Sequence, residues 1–294
     1  MAESVLVAIA VALRIISNPL ANVFQKQLTA AGNHPLIVNF LTYFILSLFC
    51  AVALFFLKIP TLHSGFWLYA ILGGITGALG NGFLVKALQM GDLSVLGPIN
   101  SYKSLVGMIV GIFLLSEIPN LWGLLGVVLI IYGSYFVLDT TDTRFSWKLL
   151  EKPEIRFRIW AMVLTAVEAV FVKKVILASS TAVAFMSWCI FGALFSFFFL
   201  FFNRLNMPTA FSKTVHPKYL GKFLLLVTCV GTMTFTTNYV FDHMQVGYAL
   251  SLFQLSTIMS ILFGYKFFSE KEIGKKMVGA VIMIAGSVMI ILLK

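Results

Sequence analysis

Long apolar runs separated by short polar breaks fill the chain from one end to the other. Ten runs can be drawn, and each has about the 20 residues that a helix needs to cross the hydrocarbon core of a bilayer. They cover residues 4–28, 36–57, 67–87, 94–115, 121–138, 158–177, 181–202, 219–241, 248–268 and 277–293. Several breaks carry turn-forming residues, such as Gly91-Asp92 and Pro119-Asn120. The pattern predicts an all-α integral membrane protein with ten transmembrane helices.

One stretch of the chain occurs twice. Residues 111–134 and 264–287 carry the same glycines, serines and glutamate at a constant offset of 153 residues. The matched pairs are Gly111 and Gly264, Ser116 and Ser269, Glu117 and Glu270, Gly126 and Gly279, Gly133 and Gly286, and Ser134 and Ser287. The sequence therefore predicts two related halves, residues 1–138 and 158–294, joined by a linker over residues 139–157. Because five helices per half is an odd number, the second half must cross the membrane in the opposite sense, as in inverted repeats.

The matched serines and glutamates have a structural interpretation. Ser116 and Ser269 stand where an N-cap oxygen would accept hydrogen bonds from free amides of the following helix. Glu117 and Glu270 would fall in the first turn of that helix, where the helix dipole favours a carboxylate. A catalytic or ligand-binding role for the two glutamates is the alternative.

Composition agrees with a membrane protein. Of 294 residues, 60% are hydrophobic and 11% are charged, whereas a soluble domain has about 25% charged residues. The formal net charge of +10 suits contact with anionic lipid headgroups, and no basic patch typical of nucleic-acid binding is present. Cys50, Cys189 and Cys229 lie inside apolar runs without disulfide or metal spacing, so no metal site or cofactor is predicted. No set of nucleophile and base is found, and no enzymatic activity is expected.

Three ionisable side chains stand inside predicted membrane helices, where a charge is costly unless it faces a cavity or a partner. They are Arg14 in the first helix, Lys103 in the fourth and Glu168 in the sixth. Lys103 either pairs with Glu168 or meets an anionic substrate group, and we favour the second because a fixed buried ion pair is a poor source of stability. Glu168 is either a structural counter-ion or a protonatable coupling site, with protons as the coupling ion. Arg14 either lines the cavity or extends to the membrane surface.

Uncharged polar residues lie near these charged residues on the predicted helices. Asn18 and Asn22 follow Arg14 at intervals of four residues, so the three share one face of a helix. Ser256 is the counterpart of Lys103 at the offset of 153 residues. The predicted substrate-binding residues are Arg14, Asn18, Asn22, Asn39, Tyr43, Asn100, Lys103, Glu168, Gln254 and Ser256.

Motifs in the later part of each half resemble a known family. They are Ala87-Leu88-Gln89-Met90-Gly91-Asp92-Leu93-Ser94 running into Gly97-Pro98, then Gly111 and Ser116-Glu117, and in the second half Gly264, Ser269-Glu270 and Gly286. On these residues the chain resembles the drug/metabolite transporter superfamily, specifically its EamA-type members with ten helices. It departs from that family in having Ser-Glu where many members have Gly-Glu. It also has Lys103-Ser104 and Ser256-Thr257 where many members have an apolar residue or Glu-Pro.

The resemblance implies a secondary transporter whose central cavity is built from helices 1–4 and 6–9, with helices 5 and 10 at the periphery. Family members export amino acids and related metabolites, or exchange nucleotide sugars and phosphorylated metabolites. Because Arg14 and Lys103 stand against Glu168, the expected substrate is a small polar metabolite with an anionic group, of the amino-acid or organic-acid type. The expected reaction is export by alternating access.

The alternatives are an organophosphate or nucleotide-sugar exchanger, and a non-transporting scaffold or lipid flippase. The expected partners are the small-molecule substrate and membrane lipids, without nucleic acid. The expected location is the cell (inner) membrane. The sequence leaves the oligomeric state open, and a monomer is compatible with it.

Two arguments about the orientation of the chain disagree. The loops after helices 1, 3, 5, 7 and 9 carry most of the basic residues, namely Arg144, Lys148, Lys152, Arg156, Arg158, Arg204, Lys213, Lys218, Lys222, Lys271, Lys275 and Lys276. The side that holds the termini carries Lys58 and Lys294, with Lys173 and Lys174 at its edge. The positive-inside rule therefore places the termini outside, whereas members of the family usually have both termini in the cytoplasm.

Overall fold

The computed structural model describes residues 2–56, 60–103, 105–106, 120–140, 151–203 and 216–292. The regular elements in these ranges are all helical. They are α1 (Ala2–Ala30), α2 (Pro35–Ala53), α3 (Phe66–Met90), α4 (Leu93–Leu96), a 3-10 helix (Pro98–Ser101), α5 (Leu121–Leu138), α6 (Pro153–Ala178), α7 (Thr181–Phe202), α8 (Pro217–His243), α9 (Val246–Phe253), α10 (Ser256–Phe268) and α11 (Ile273–Leu292). The predicted all-α class is confirmed for the described part of the chain.

Local sequence explains where several helices begin. Pro35, Pro153 and Pro217 occupy the first turn of α2, α6 and α8, where the N–H that proline lacks would have no partner in the helix. Asn120 caps α5, because its side chain accepts a hydrogen bond from the amide of Gly123 at 2.9 Å. Because Pro153 starts α6, this helix begins five residues before the predicted start of the second half at residue 158.

Eight helical spans in the described ranges are long and apolar enough to cross a membrane, and one of them combines most of α9 with α10. They are Glu3–Ala30, Pro35–Ala53, Phe66–Met90, Leu121–Leu138, Thr181–Phe202, Pro217–His243, Tyr248–Phe268 and Ile273–Ile290. With 26 residues, α6 is about 39 Å long, but its charged residues keep it out of this set. Much of the predicted fourth span lies outside the described residues, so the count of ten remains a prediction.

Helices from the two parts of the chain pack against each other in pairs. The largest interfaces join α3 with α6, α5 with α11 and α1 with α8, and the interface of α2 with α7 comes next. In each pair, one helix precedes residue 140 and the other follows it. The buried hydrophobic residues form three clusters, and each cluster contains residues from both parts.

The α5–α11 pair is in contact backbone to backbone. A Cβ atom built on Gly126 would lie 2.6 Å from the carbonyl oxygen of Gly286, and one built on Gly133 would lie 2.6 Å from that of Gly279. Small residues permit such close approach of membrane helices. Because the earlier glycine of α5 faces the later glycine of α11, the two helices run antiparallel.

Two predicted spans are interrupted. One residue, Gly97, separates α4 from Pro98, which begins the 3-10 helix, since proline cannot continue an α-helical hydrogen-bond pattern. The ninth span is divided into α9 and α10 at Gln254 and Leu255. The two interruptions are in contact, because the Ser101 hydroxyl donates to Oε1 of Gln254 at 3.4 Å.

Glu270 occupies a different position from the one predicted. It lies in the loop between α10 and α11, and its Oε1 and Oε2 accept hydrogen bonds from the amides of Leu93 and Ser94, both at 2.8 Å. Lys26 Nζ lies 2.9 Å from Oε1. Glu270 therefore caps α4, and the expectation that it falls in the first turn of its own helix is wrong.

Backbone conformation in the loop explains this difference. Ser269 (φ 54°) and Glu272 (φ 59°) are both left-handed, so α10 ends at Phe268 and α11 begins only at Ile273. Ser269 is thus the C-cap of α10, and the prediction that it is an N-cap is also wrong. The counterparts Gly111, Ser116 and Glu117 lie outside the described residues.

Electrostatics keep the Glu270 carboxylate ionised. Burial by itself would raise the pKa of Glu270, but the Lys26 charge and hydrogen bonds from Ser94 and Lys26 outweigh burial, so the pKa lies below its ordinary value. A folded-state pKa that is depressed contributes stability above the unfolded pKa of about 4.3, and this contribution is lost as the pH falls through the folded value.

We expect Glu270→Gln to destabilise the protein by about 2 kcal/mol or more, because it removes a charge that three donors share. The measurement is thermal unfolding in detergent, with Glu272→Gln as control, since Glu272 is exposed two residues away. The difference from wild type should be largest at neutral pH and shrink below about pH 4. Equal unfolding midpoints for the two variants would contradict this account.

We expect Gly133→Ala to destabilise the protein by about 1–3 kcal/mol, because the added methyl group meets the Gly279 carbonyl oxygen of a packed backbone. Gly221→Ala on α8 is the matched control, because a Cβ at Gly221 has no atom within 4 Å. The control should be neutral or slightly stabilising in the same unfolding assay. A harmless Gly133→Ala would mean that α5 and α11 are not in close contact.

Candidate functional site

A cavity lies between the two parts of the chain. It contains about 940 Å³ of space free of protein atoms, including the open solvent at its mouth. Its walls come from α1, α3, α6, α7 and α8, from the interruption after α4, and from α9 and α10. The polar residues of its lining are Arg14, Asn18, Asn22, Asn81, Asn100, Lys103, Arg158, Thr165, Glu168, Trp188, Thr234, Thr237, Asn238, Ser256 and Ser260.

The structure brings most of the predicted site residues together. Those that line the cavity are Arg14, Asn18, Asn22, Asn100, Lys103, Glu168 and Ser256. Asn39 and Tyr43 line a smaller pocket with about 360 Å³ of free space, which shares Asn18 and Asn22 with the main cavity. Gln254 lines neither space, since its side chain is buried at the interruption between α9 and α10.

Arg14 is held at the interface of α1 and α8. Its Nε donates to Thr237 Oγ1 at 2.8 Å, and its guanidinium carbon lies 4.7 Å from the centre of the Phe253 ring. Its Nη1 is buried and has no hydrogen-bond partner among the described residues. The guanidinium therefore faces the interior of the protein rather than the membrane surface.

Glu168 is buried on α6 beside an indole donor. Trp188 Nε1 donates to Glu168 Oε1 at 2.5 Å. A Cβ built on Gly77 of α3 would lie 2.4 Å from the same oxygen, so only glycine leaves room for the carboxylate there. Three helices thus fix the position of one acidic group.

An aromatic pair connects the cavity with the smaller pocket. The rings of Tyr43 and Trp188 lie 4.5 Å apart between centroids, and Asn81 Nδ2 donates to the Tyr43 hydroxyl at 2.7 Å. Gly192 packs directly on the Tyr43 ring, where a Cβ would lie 2.2 Å from it. Movement of Tyr43 would therefore disturb Trp188, and through it the Glu168 carboxylate.

Arg158 lines the cavity, although the sequence interpretation counted it with the loop charges. It is buried, with Nε donating to the Leu96 carbonyl at 2.7 Å and Nη2 donating to Asn100 Oδ1 at 3.1 Å. The signal for it was present in Pro153, which marks a helix start more than one turn earlier. Lys276, counted in the same way, is also buried, and its Nζ donates to Ser94 Oγ at 2.8 Å.

Other lining residues were missed because they carry no charge. Thr234, Thr237 and Asn238 have the spacing of one helix face within the run of residues 219–241. This polar stripe in an otherwise apolar run is the sequence signal that identifies them.

Charges in the cavity are unbalanced. Three cations, Arg14, Lys103 and Arg158, are present in the described lining with one carboxylate, Glu168. Within the described ranges, no ion pair of 4 Å or less joins Lys103 to Glu168. The fixed ion pair, one of the two interpretations of Lys103, is therefore not formed in this structure.

Metal ligands do not converge in the described residues. No group of three or more histidine, cysteine, aspartate or glutamate side chains there could hold an ion. The chemistry that the cavity offers is instead that of amide, hydroxyl, guanidinium and ammonium groups around one buried carboxylate.

Comparison with known proteins finds a family model that matches part of the chain. Residues 6–139 match the model of the "EamA-like transporter family". The match confirms the resemblance to EamA-type members of the drug/metabolite transporter superfamily. Together with the eight helices of membrane-crossing length, it makes the chain a multi-pass integral membrane protein.

Two relatives come from Streptococcus agalactiae, one from a serotype V strain and one from a serotype III strain, and each is named "Putative sugar uptake protein". Each is 30% identical to this chain over 95 residues, a match that covers 31% of this chain. The chain matches only 33% of the length of either relative.

A protein of known crystal structure has the same fold. Its TM-score against this chain is 0.63, covering 96% of this chain and 97% of the other. The two sequences are 15% identical, so the likeness concerns the fold alone.

We expect Gly77→Ala to destabilise the protein by about 1–3 kcal/mol, because the methyl group displaces Glu168 from its hydrogen bond with Trp188. Gly82→Ala is the matched control on α3, since a Cβ there would make only ordinary contacts at 3.6 Å and beyond. The measurement is thermal unfolding of both variants in detergent. If the two substitutions have the same effect, Gly77 does not determine the position of Glu168.

Proposed function

We propose that this protein is a secondary transporter that exports a small polar metabolite with at least one anionic group, of the amino-acid or organic-acid type, across the cell membrane. The observation that carries the proposal is the cavity with three cations and one carboxylate. Intramembrane ionisable groups mark substrate and ion pathways, because elsewhere in a membrane they are too costly. An excess of cations attracts an anionic solute.

We propose further that the chain consists of two inverted repeats, residues 1–138 and 158–294, which together supply ten transmembrane helices. Gly126 and Gly133 are the repeat counterparts of Gly279 and Gly286, and their contacts are exchanged, Gly126 with Gly286 and Gly133 with Gly279. A two-fold axis in the membrane plane would produce this exchange. The same two-fold axis would relate the α3–α6 interface to the α1–α8 interface, because α1 corresponds to α6 and α3 corresponds to α8 in the proposed repeat.

The interrupted helices support a substrate site at the repeat interface. Gly97 and Asn100 after α4, and Phe253 and Ser256 around the break between α9 and α10, all line the cavity. Ser101 and Gln254, which contact each other, are separated by the repeat offset of 153 residues. Discontinuous helices that meet near a two-fold axis are typical of substrate sites in secondary transporters.

Alternating access would require α1 to move relative to the second half. α1 carries the cavity residues Arg14, Asn18 and Asn22, and about one turn further on it carries Lys26. Because Lys26 pairs with Glu270 across the halves, an opening at this end must separate that ion pair. Glu168 is the proposed proton-carrying group, since it is the carboxylate in the described lining of the cavity.

A second candidate function is exchange of phosphorylated or sugar-containing metabolites. Arg158 supplies a third cation, which a doubly charged phosphate group would need. The adjoining pocket is lined by amides and hydroxyls, and the two curated relatives are named for sugar uptake. A hydroxyl-rich solute would find donors and acceptors there.

The test is transport by purified protein in liposomes, measured in both directions with amino acids, organic acids, sugars and sugar phosphates. We expect saturable transport of a carboxylated solute, and a loss of about tenfold or more in Lys103→Ala, because a cation that attracts the anionic solute into the cavity is removed. Lys218→Ala is the control, since Lys218 is an exposed lysine at the start of α8 outside the cavity.

Each outcome of this assay separates the candidates. Counterflow confined to phosphorylated solutes would favour the exchanger, and uptake of neutral sugars alone would contradict the anionic substrate. No transport of any solute by well-folded protein would favour a scaffold or lipid flippase. Transport that is insensitive to a pH gradient would contradict proton coupling through Glu168.

A further inference from the structure

Three buried polar atoms in the cavity lining have no hydrogen-bond partner among the described residues. They are Nη1 of Arg14, Oγ1 of Thr234 and Nδ2 of Asn238. The side chains of Thr234 and Asn238 belong to residues that are only 5% and 1% exposed. Each of the three atoms can donate a hydrogen bond, so each lacks an acceptor.

These donors lie on two helices that are joined at this point. Thr234, Thr237 and Asn238 share one face of α8, because they are separated by three and four residues. Arg14 of α1 reaches this face, since its Nε is bonded to Thr237 Oγ1 at 2.8 Å. The free Nη1 therefore lies on a guanidinium that is anchored beside the two free donors.

An unpaired guanidinium in this position is energetically unfavourable by itself. In the described part of the chain, no carboxylate lies within 4 Å of Arg14, and the ring of Phe253 supplies a weaker interaction. A buried charge without a counter-ion is strongly destabilising, whereas the same charge with an anion in place is not. The missing partner should thus be an anion with several acceptor lone pairs.

The other two cations of the described lining, Arg158 and Lys103, are less suited to hold this anion. Arg158 already donates to the Leu96 carbonyl and the Asn100 side chain, at 2.7 and 3.1 Å. Lys103 is a flexible point charge, which attracts an anion but does not match the planar geometry of a carboxylate. Arg14 is the arginine in the described lining that combines a fixed position with a buried nitrogen lacking an acceptor.

We propose that Arg14, Thr234 and Asn238 form the seat for the anionic group of the substrate, a carboxylate or a phosphate oxygen pair. This inference rests on the proposed function and specifies where in the cavity the anion binds. Nη1 donates one charge-assisted hydrogen bond, and the Asn238 amide and Thr234 hydroxyl donate two more. Lys103 contributes attraction across the cavity without direct recognition.

The test uses the full-length protein in detergent, titrated with succinate, L-glutamate and inorganic phosphate, and with dimethyl succinate as the uncharged comparison. The readout is the dissociation constant from thermal stabilisation. For wild type we expect saturable stabilisation by at least one anion and none by dimethyl succinate. Arg14→Lys and Thr234→Val should each weaken binding about tenfold, because each removes a hydrogen bond to a charged group.

Thr236→Val is the matched control for Thr234→Val. Thr236 is buried on the same helix, but its hydroxyl donates to the carbonyls of Thr232 and Met233, at 2.7 and 3.1 Å, and it does not line the cavity. Binding by the control should remain within about twofold of wild type. Since valine is nearly isosteric with threonine, the proposal stands or falls on this pair of variants.

Asn238→Asp provides a second and independent test. An aspartate there places a carboxylate on the face of α8 that Arg14 contacts, so in the proposal it should raise the unfolding temperature of the ligand-free protein and abolish stabilisation by anions. Asn238→Asp combined with Arg14→Gln should lose the added stability, because the new carboxylate then has no cation. A lower unfolding temperature for Asn238→Asp alone would overturn the proposal.

The failure of the seat and the failure of the proposed function give different results. If wild type binds or transports an anion but Arg14→Lys and Thr234→Val do so equally well, only the seat is wrong. If binding disappears in Lys103→Ala and not in these variants, Lys103 is the recognition site instead. If wild type neither binds nor transports any anion, the proposed function fails together with the seat.

Discussion

A charge inside a bilayer has to be kept away from lipid, and this requirement determines how the two parts of the chain pack. Arg14, Lys103 and Glu168 lie in runs of otherwise apolar sequence, so neither part alone can shield them. Packing α3 on α6 and α1 on α8 turns the polar faces of these helices toward a common space. The arrangement that hides the charges from hydrocarbon is therefore also the one that creates a polar chamber.

The contacts between the two parts are of two physical kinds. α5 and α11 are joined by close approach of glycine backbones, which leaves no room for rearrangement. Glu270 adds a polar contact between the parts, because its partners are Lys26 of α1 and two amides of α4, while α1 also packs on α8. A polar contact of this kind can separate when other donors, such as water, replace it, whereas close packing cannot. The Glu270 contacts are accordingly easier to separate than the α5–α11 interface.

Much of the fold could be predicted from the sequence, because apolar runs determine where membrane helices lie. α5 and α7 begin and end at the predicted residues. Glu270 could not be placed, because the amides it caps are 177 and 176 residues away in sequence. The break at Gln254 contains neither glycine nor proline, and it forms where the chain contacts Ser101. The position of Glu270 and the break at Gln254 both depend on polar contacts between residues far apart in sequence, which no local pattern encodes.

The candidate site was predictable only as far as charge in an apolar run made it conspicuous. Lys103 is easy to identify in the sequence because it is a charge in an apolar run. Selectivity for an anionic solute, however, depends on a cation that has both a fixed position and unused donors. Two arginines in the cavity differ in this respect: Nε and Nη2 of Arg158 donate to protein oxygens at the interruption after α4, whereas Arg14 has a buried nitrogen without a partner among the described residues. In the proposal, Arg14 is therefore the arginine that meets the anionic group. A site that attracts anions broadly through Lys103 and recognises their geometry through Arg14 can select among anionic solutes, which an ammonium group alone cannot do.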